Sequence, residues 1–201
     1  MGKGAVERRW IQTNVDEQET VALTQTGIHP RIARLLAARG VKDPQTAQRY
    51  LNPSLSHIPD PFLMKGVDRA SARLADAMVQ GQTITLFGDY DVDGVTSSAL
   101  MATFLRHHGV SARVYIPKRL TEGYGLNRDA VETVAEWGTD LLVTLDCGIT
   151  AADEVGRANG LGLDVIVVDH HKCPPELPPA YATLNPQPGP CPDRRSRLGA
   201  D

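Results

Sequence analysis

The sequence predicts an α/β fold, a doubly wound and mostly parallel sheet preceded by a small helical N-terminal region. Three observations carry this expectation. Short apolar runs rich in β-branched residues, Ile84-Thr85-Leu86-Phe87-Gly88, Leu141-Leu142-Val143-Thr144-Leu145 and Val165-Ile166-Val167-Val168, read as buried strands. Stretches with helical spacing separate them, the alternation that yields parallel pairing through crossover helices. Each run also ends in a carboxylate: Asp89-Tyr90-Asp91-Val92-Asp93-Gly94 follows the first, Asp146-Cys147-Gly148 the second and Asp169-His170-His171 the third.

Taken in order, residues 1–18 read as a polar tail and 19–80 as the helical region. The segment His29 to Gly40 has Pro30 at its first turn and Gly40 just past its end, which predicts a short helix. Asp43-Pro44 opens another that runs to Leu51. From Asp68 to Val79, residues Ala70, Leu74, Ala77 and Met78 share one face, so this helix should pack on the sheet. Arg31, Arg34 and Arg39 read as solvated positions. The sheet domain is expected over 81–192, with helices near Val95 to His107, Asn127 to Trp137 and Ala151 to Asn159. Residues 193–201 form a separate, divergent tail.

Composition narrows the class less sharply. The chain has 201 residues, of which 41% are hydrophobic and 22% charged, enough to bury a core and against disorder throughout. No apolar stretch approaches the roughly 20 residues of a membrane span. The first twenty residues, with Lys3, Arg8 and Arg9, lack a secretory apolar region, so a soluble cytoplasmic protein is expected. Cys147, Cys173 and Cys191 form no C-x₂-C pair, which fits a reducing compartment. Cys147 reads as a small buried hydrophobe, and the other two, in Pro-rich loops, as incidental.

A net charge of −3 weighs mildly against nucleic-acid binding. Part of that balance sits in the acidic clusters, and a basic group, Arg106, His107, His108, Arg113, Lys118 and Arg119, lies nearby in sequence. Its plain reading is a solvated helix end and strand edge. Lys118 and Arg119 follow the strand exit Ile116-Pro117 and are the candidates for a substrate phosphate. Tyr124, between Gly123 and Gly125, is suited to stack on a base or to pack within its loop.

Strands of a parallel sheet leave the core on one side, and such sheets bind ligands beyond their carboxyl ends. Asp89, Asp91, Asp93, Asp146, Asp169, His170 and His171 are therefore expected to converge. Crowded carboxylates repel one another unless protonated or offset by cations. Carboxylate oxygens with imidazoles and no clustered thiolates suit Mn²⁺ or Mg²⁺ better than structural Zn²⁺. A helix N-cap is the structural alternative for Asp93, and a turn role for Asp169. Ser97 and Ser98 read as polar helix-start residues without a base partner, and the amides near Gly94 to Thr96 as a possible phosphate cradle.

The blocks GDYDVDGVTS (Gly88 to Ser97), IPKRLTEGYGL (Ile116 to Leu126), TLDCGI (Thr144 to Ile149) and VVDHH (Val167 to His171) occur in an order that resembles the DHH phosphoesterase family. Upstream, RIARLLAARG (Arg31 to Gly40) and DPFLMKG (Asp60 to Gly66) extend the resemblance to its RecJ-type, single-strand-specific 5′ to 3′ DNA exonucleases of repair and recombination. It covers roughly residues 20 to 192. The resemblance implies Asp89, Asp91, Asp93, Asp146 and His170 as metal ligands, Asp93 in or beside the coordination sphere. It implies Asp91, Asp146, His170 and His171 as catalytic, with His171 on metal or scissile phosphate and Asp169 orienting the pair. Two Mn²⁺ or Mg²⁺ ions, a single-stranded DNA partner and hydrolysis by a metal-activated water follow from it.

Beyond Pro192 the resemblance stops, and residues 193–201 are expected to reflect a truncated or frameshifted product. The family's downstream motif and second domain would then be missing, and poor hydrolysis of DNA is the expectation. Two other readings stand beside the exonuclease: a DHH hydrolase acting on small nucleotides or polyphosphate, and an inactive remnant.

Overall fold

Side-chain caps start each helix of the N-terminal segment. Asp16 Oδ1 accepts the amide hydrogen of Gln18 at 2.8 Å and opens α1, Glu17–Gln25. His29 Nδ1 accepts from the Arg31 amide at 3.3 Å ahead of α2, Pro30–Ala37. Asp43 Oδ1 accepts from the Thr46 amide at 2.8 Å ahead of α3, Pro44–Leu51. The helices bury Leu23, Ile28, Ala33, Leu36, Val41 and Ala47 against one another. The α2 and α3 helices lie where the Pro and Gly signals predicted them. By contrast α1 begins inside the stretch expected as a polar tail, since its single buried residue, Leu23, leaves almost no periodic pattern to read.

The computed structural model describes residues 11–187, in two compact units divided between Ile58 and Pro59. Residues 1–10 and 188–201, and with them most of the polar tail, Cys191, the chain end of the sheet domain and the divergent tail, lie outside the described residues. The division falls ahead of the expected boundary at 80/81. The helix α4, Val67–Gln80, belongs to the second unit because Ala70, Ala77, Leu74 and Met78 pack under the sheet.

After α4 the second unit continues as β1 (Ile84–Gly88), α5 (Val92–His107), β2 (Arg113–Tyr115), α6 (Arg128–Glu136), β3 (Leu141–Leu145), α7 (Ala152–Gly160), β4 (Asp164–Val168) and β5 (Ala182–Leu184). The strands lie in the order β2-β1-β3-β4-β5, and every pairing is parallel. Registers such as Gly88 opposite Leu145 and Leu145 opposite Val168 align the strand ends. Side chains alternate between faces with the strand period. Phe87, Leu142, Val165 and Val167 meet α6 and α7 through Val131, Val134, Val155 and Ala158. Ile84, Leu86, Leu141, Val143 and Ile166 meet α4 and α5. Two covered faces explain why these strands read as unbroken apolar runs.

No sequence signal marks β5. Its Ala-Thr-Leu segment is too short to carry a pattern, and pairing with β4 creates it. Arg113 opens β2 opposite Thr85, donates to the Trp137 carbonyl at 2.8 Å and thus sits at the amino end of the sheet. Arg106, His107 and His108 close α5 at that same end, where His108 packs on Phe104. These four are a solvated helix end and strand edge, remote from the strand ends that carry the carboxylates. No described helix is long and apolar enough to cross a membrane.

Candidate metal centre

The order in which strands are added reverses at β1: β2 lies to one side of it, while β3, β4 and β5 follow on the other. At such a switch point the connections diverge and leave a crevice beyond the strand ends. Asp89 and Asp146 flank it. Their amides prolong the ladder by one step, Asp89 to the Leu145 carbonyl at 3.3 Å and Asp146 to the Val168 carbonyl at 2.9 Å. Asp169 donates likewise to Leu184 at 3.0 Å. The sheet thus sets three carboxylate-bearing residues side by side.

Two glycines bring a fourth. Asp91 caps α5, its Oδ1 accepting from the amides of Asp93 at 3.0 Å and Gly94 at 3.1 Å. A Cβ on Gly94 would stand 2.5 Å from the Asp89 nitrogen, and one on Gly88 would stand 2.7 Å from the Gly94 carbonyl oxygen. Only hydrogen at both positions lets the first turn of α5 lie on the end of β1, which carries Asp91 over Asp89. Asp146 has φ +65°, the left-handed region, which Asp tolerates better than most residues and which often marks functional turns.

Two ligand sets result. Oxygens of Asp89, Asp91 and Asp146 lie within 4.8 Å of one another, and so do ligand atoms of Asp146, His170 and His171. Asp146 is common to both. Both oxygens of Asp89 and both of Asp146 are buried without a hydrogen-bond partner. His170 Nε2 reaches Asp146 Oδ1 at 2.9 Å, an ion-pair distance without hydrogen-bond alignment. Burial, then the neighbouring Asp91 carboxylate, pushes the Asp146 carboxyl up, while the Gly94 amide holds Asp91 down.

Asp169 serves the histidine pair. It is buried, its Oδ2 accepts from the Ile149 amide at 3.0 Å, and its Oδ1 accepts from the His171 amide at 3.0 Å and lies 2.7 Å from His171 Nδ1. That contact raises the His171 pKa and leaves Nε2 facing outward, 3.2 Å from the Tyr124 hydroxyl. Buried carboxylate oxygens without donors are costly unless a cation meets them. The oxygen and imidazole donors, with no thiolate among them, fit a hard divalent ion such as Mn²⁺ or Mg²⁺. Cys147 is buried beneath the site in the apolar layer, and burial pushes its thiol up.

Of the expected ligands, Asp89, Asp91, Asp146 and His170 come together, and His171 joins them. Asp93 lies in the first turn of α5, exposed and outside both sets; the cap role considered for it falls to Asp91. The amides of Asp93, Gly94 and Val95 are taken by Asp91, so they do not form an open phosphate cradle. Ser97 Oγ bonds to helix carbonyls, whereas Ser98 is buried against Gly88. Lys118 stands exposed in the turn after β2, and the Arg119 guanidinium lies over the Tyr90 ring, 5.4 Å from its centroid. Tyr90 carries a sequence signal of its own, an aromatic ring between two aspartates of the candidate centre.

Residues 83–197 match the DHH family, N-terminal domain. The chain is 41% identical over 187 residues to the single-stranded-DNA-specific exonuclease RecJ of Bacillus subtilis, covering 92% of this chain and 24% of that protein. It is 36% identical to RecJ of Escherichia coli, covering 89% of this chain and 30% of that protein. The chain therefore spans about a quarter to a third of the length of these relatives. Among solved structures it is similar to exonuclease RecJ bound to manganese, with TM-score 0.60 and 38% identity over 66% of this chain and 33% of the other. It is also similar to RecJ of Thermus thermophilus in complex with Mn²⁺, with TM-score 0.63 and 28% identity over 87% of this chain and 24% of the other.

Proposed function

The chain belongs to the DHH family, and from that premise we propose that its second unit is the metal-binding part of a hydrolase that cuts phosphodiester bonds in single-stranded DNA. The buried, unpartnered oxygens of Asp89 and Asp146 carry this reading. Two ligand sets that share Asp146 support a pair of Mn²⁺ or Mg²⁺ ions: Asp89, Asp91 and Asp146 would hold one, and Asp146, His170 and His171 would hold the other. When bound, such ions would lower the pKa of water towards neutrality and offset charge on a departing oxygen. RecJ relatives that act on single-stranded DNA and a RecJ structure that holds manganese support the substrate and the ion.

The protein's own residues set the geometry. Asp169 fixes the His171 ring, so that Nε2 faces the crevice rather than the sheet. Gly94 and Asp91 lock the acidic loop onto α5. Arg119 and Lys118 supply positive charge for a strand phosphate, and Tyr124, exposed beside His171, offers a ring for a base.

Calorimetry and nucleotide release test the proposal together. The purified chain should bind Mn²⁺, and Asp89→Ala and Asp146→Asn should abolish that binding. Whatever Mn²⁺-dependent release of nucleotides the chain supports should favour single over double strands and fall about 10- to 100-fold in Asp146→Asn. Lack of Mn²⁺ binding would refute the metal centre. Binding accompanied by hydrolysis of small cyclic dinucleotides or polyphosphate, but not of DNA, would refute the substrate.

A further inference from the structure

Tyr90 sits between two ligand aspartates, yet it belongs to neither ligand set. Its ring instead belongs to a row of side chains drawn from three loops. The Arg119 guanidinium carbon lies 5.4 Å from the Tyr90 centroid, and the Tyr124 ring meets Tyr90 edge-on at 6.3 Å and 81°. Tyr124 meets the His171 ring edge-on in turn, at 6.1 Å and 84°, with its hydroxyl 3.2 Å from Nε2. Arg119, Tyr90, Tyr124 and His171 thus form one row from an exposed cation to the metal centre. Tyr90 leaves β1, Arg119 and Tyr124 leave β2, and His171 leaves β4, so only the folded sheet assembles the row.

An exposed arginine ordinarily samples many rotamers, and ordering it on contact with a phosphate opposes binding. A ring face attracts the guanidinium and narrows that range in advance. We propose that Tyr90 is a positioning residue. It holds Arg119 at a set distance from His171, so that one phosphate of a strand is gripped while the adjoining phosphodiester lies at the ligand sets. The inference rests on the nuclease reading above and extends it to a residue that touches neither ion nor substrate.

Steady-state hydrolysis of a single-stranded oligonucleotide in Mn²⁺, with Mn²⁺ calorimetry on every variant, provides the test. Tyr90→Leu and Tyr90→Ser should each raise KM about 5- to 10-fold with kcat nearly unchanged, and Tyr90→Phe should restore KM. Arg119→Ala should raise KM comparably. The double variant Tyr90→Leu/Arg119→Ala should then be no worse than Arg119→Ala alone, because both changes remove one interaction. Mn²⁺ affinity should stay constant throughout. Multiplying effects in the double variant, or Mn²⁺ affinity lost in step with activity, would overturn the positioning role and leave the nuclease reading standing. Mn²⁺ binding by the unaltered chain without affinity for single strands would overturn both.

Discussion

At the scale of single residues, position in the sheet decides chemistry more than residue type does. Asp89 and Asp93 are both aspartates of one short motif, but Asp89 is fully buried with unpartnered oxygens and Asp93 is exposed. Both look alike in the sequence. What separates them is place: Asp89 prolongs the buried ladder of β1, whereas Asp93 stands in the first turn of α5, which Asp91 caps. Asp146, left-handed at φ +65°, is better probed by Asn than by Ala, since Asn also accepts that backbone. A residue outside the centre shows the same control by surroundings. Tyr115 stacks on Phe87 at 5.3 Å and donates to Glu122 Oε2 at 2.7 Å. Burial first, and then that hydrogen bond, push its phenol up to about 12. A folded value above the unfolded one of about 10 means the folded chain keeps its proton longer, so stability is intact below about pH 10 and is lost as pH rises towards 12. Urea unfolding at about pH 9 and pH 11 should show Tyr115→Phe losing less stability than the unaltered chain; equal losses would refute the assignment.

Among the elements, α5 shows how a loop motif becomes a site. The Gly88 and Gly94 hydrogens allow the helix to close on β1, and no sequence pattern distinguishes that contact from an ordinary flexible glycine. Gly156 supplies the contrast: it lies within α7, and a Cβ there would find only Pro179 Cγ, at 3.9 Å. Gly94→Ala should therefore destabilise by about 1–3 kcal/mol or more and abolish Mn²⁺ binding, whereas Gly156→Ala should stabilise by about 0.5–1 kcal/mol and leave binding unchanged. Denaturant melts with and without Mn²⁺ measure both, and the same sign in the two variants would contradict this account. The elements legible beforehand were those with a local cause: buried runs for β1, β3 and β4, a Pro at the first turn for α2 and α3. The elements that escaped notice, α1 and β5, owe their existence to neighbours, α1 through contacts with α2 and β5 through pairing with β4.

For the whole molecule, the order β2-β1-β3-β4-β5 turns three distant carboxylate motifs into one centre at the β1/β3 crevice. The residues of both candidate ligand sets belong to the second unit, and the α1–α3 core is built separately from Leu23, Ile28, Ala33, Leu36, Val41 and Ala47. Mn²⁺ at about 100 times its dissociation constant should slow amide exchange in β1, β3 and β4 by up to about 2.7 kcal/mol and leave α1–α3 unaffected. Equal protection of both units in a hydrogen-exchange experiment would show that they unfold together. The sequence by itself determined the parallel α/β class, the main strands and the carboxylate and histidine residues at their ends, because buried strands and metal donors are properties of short stretches of chain. Only the tertiary structure decided strand order, the sharing of Asp146 between two ligand sets, the exposed place of Asp93 outside both sets and the row from Arg119 through Tyr90 to His171. Those depend on which strand ends become neighbours, and neighbours far apart along the chain are chosen by packing both faces of the sheet at once.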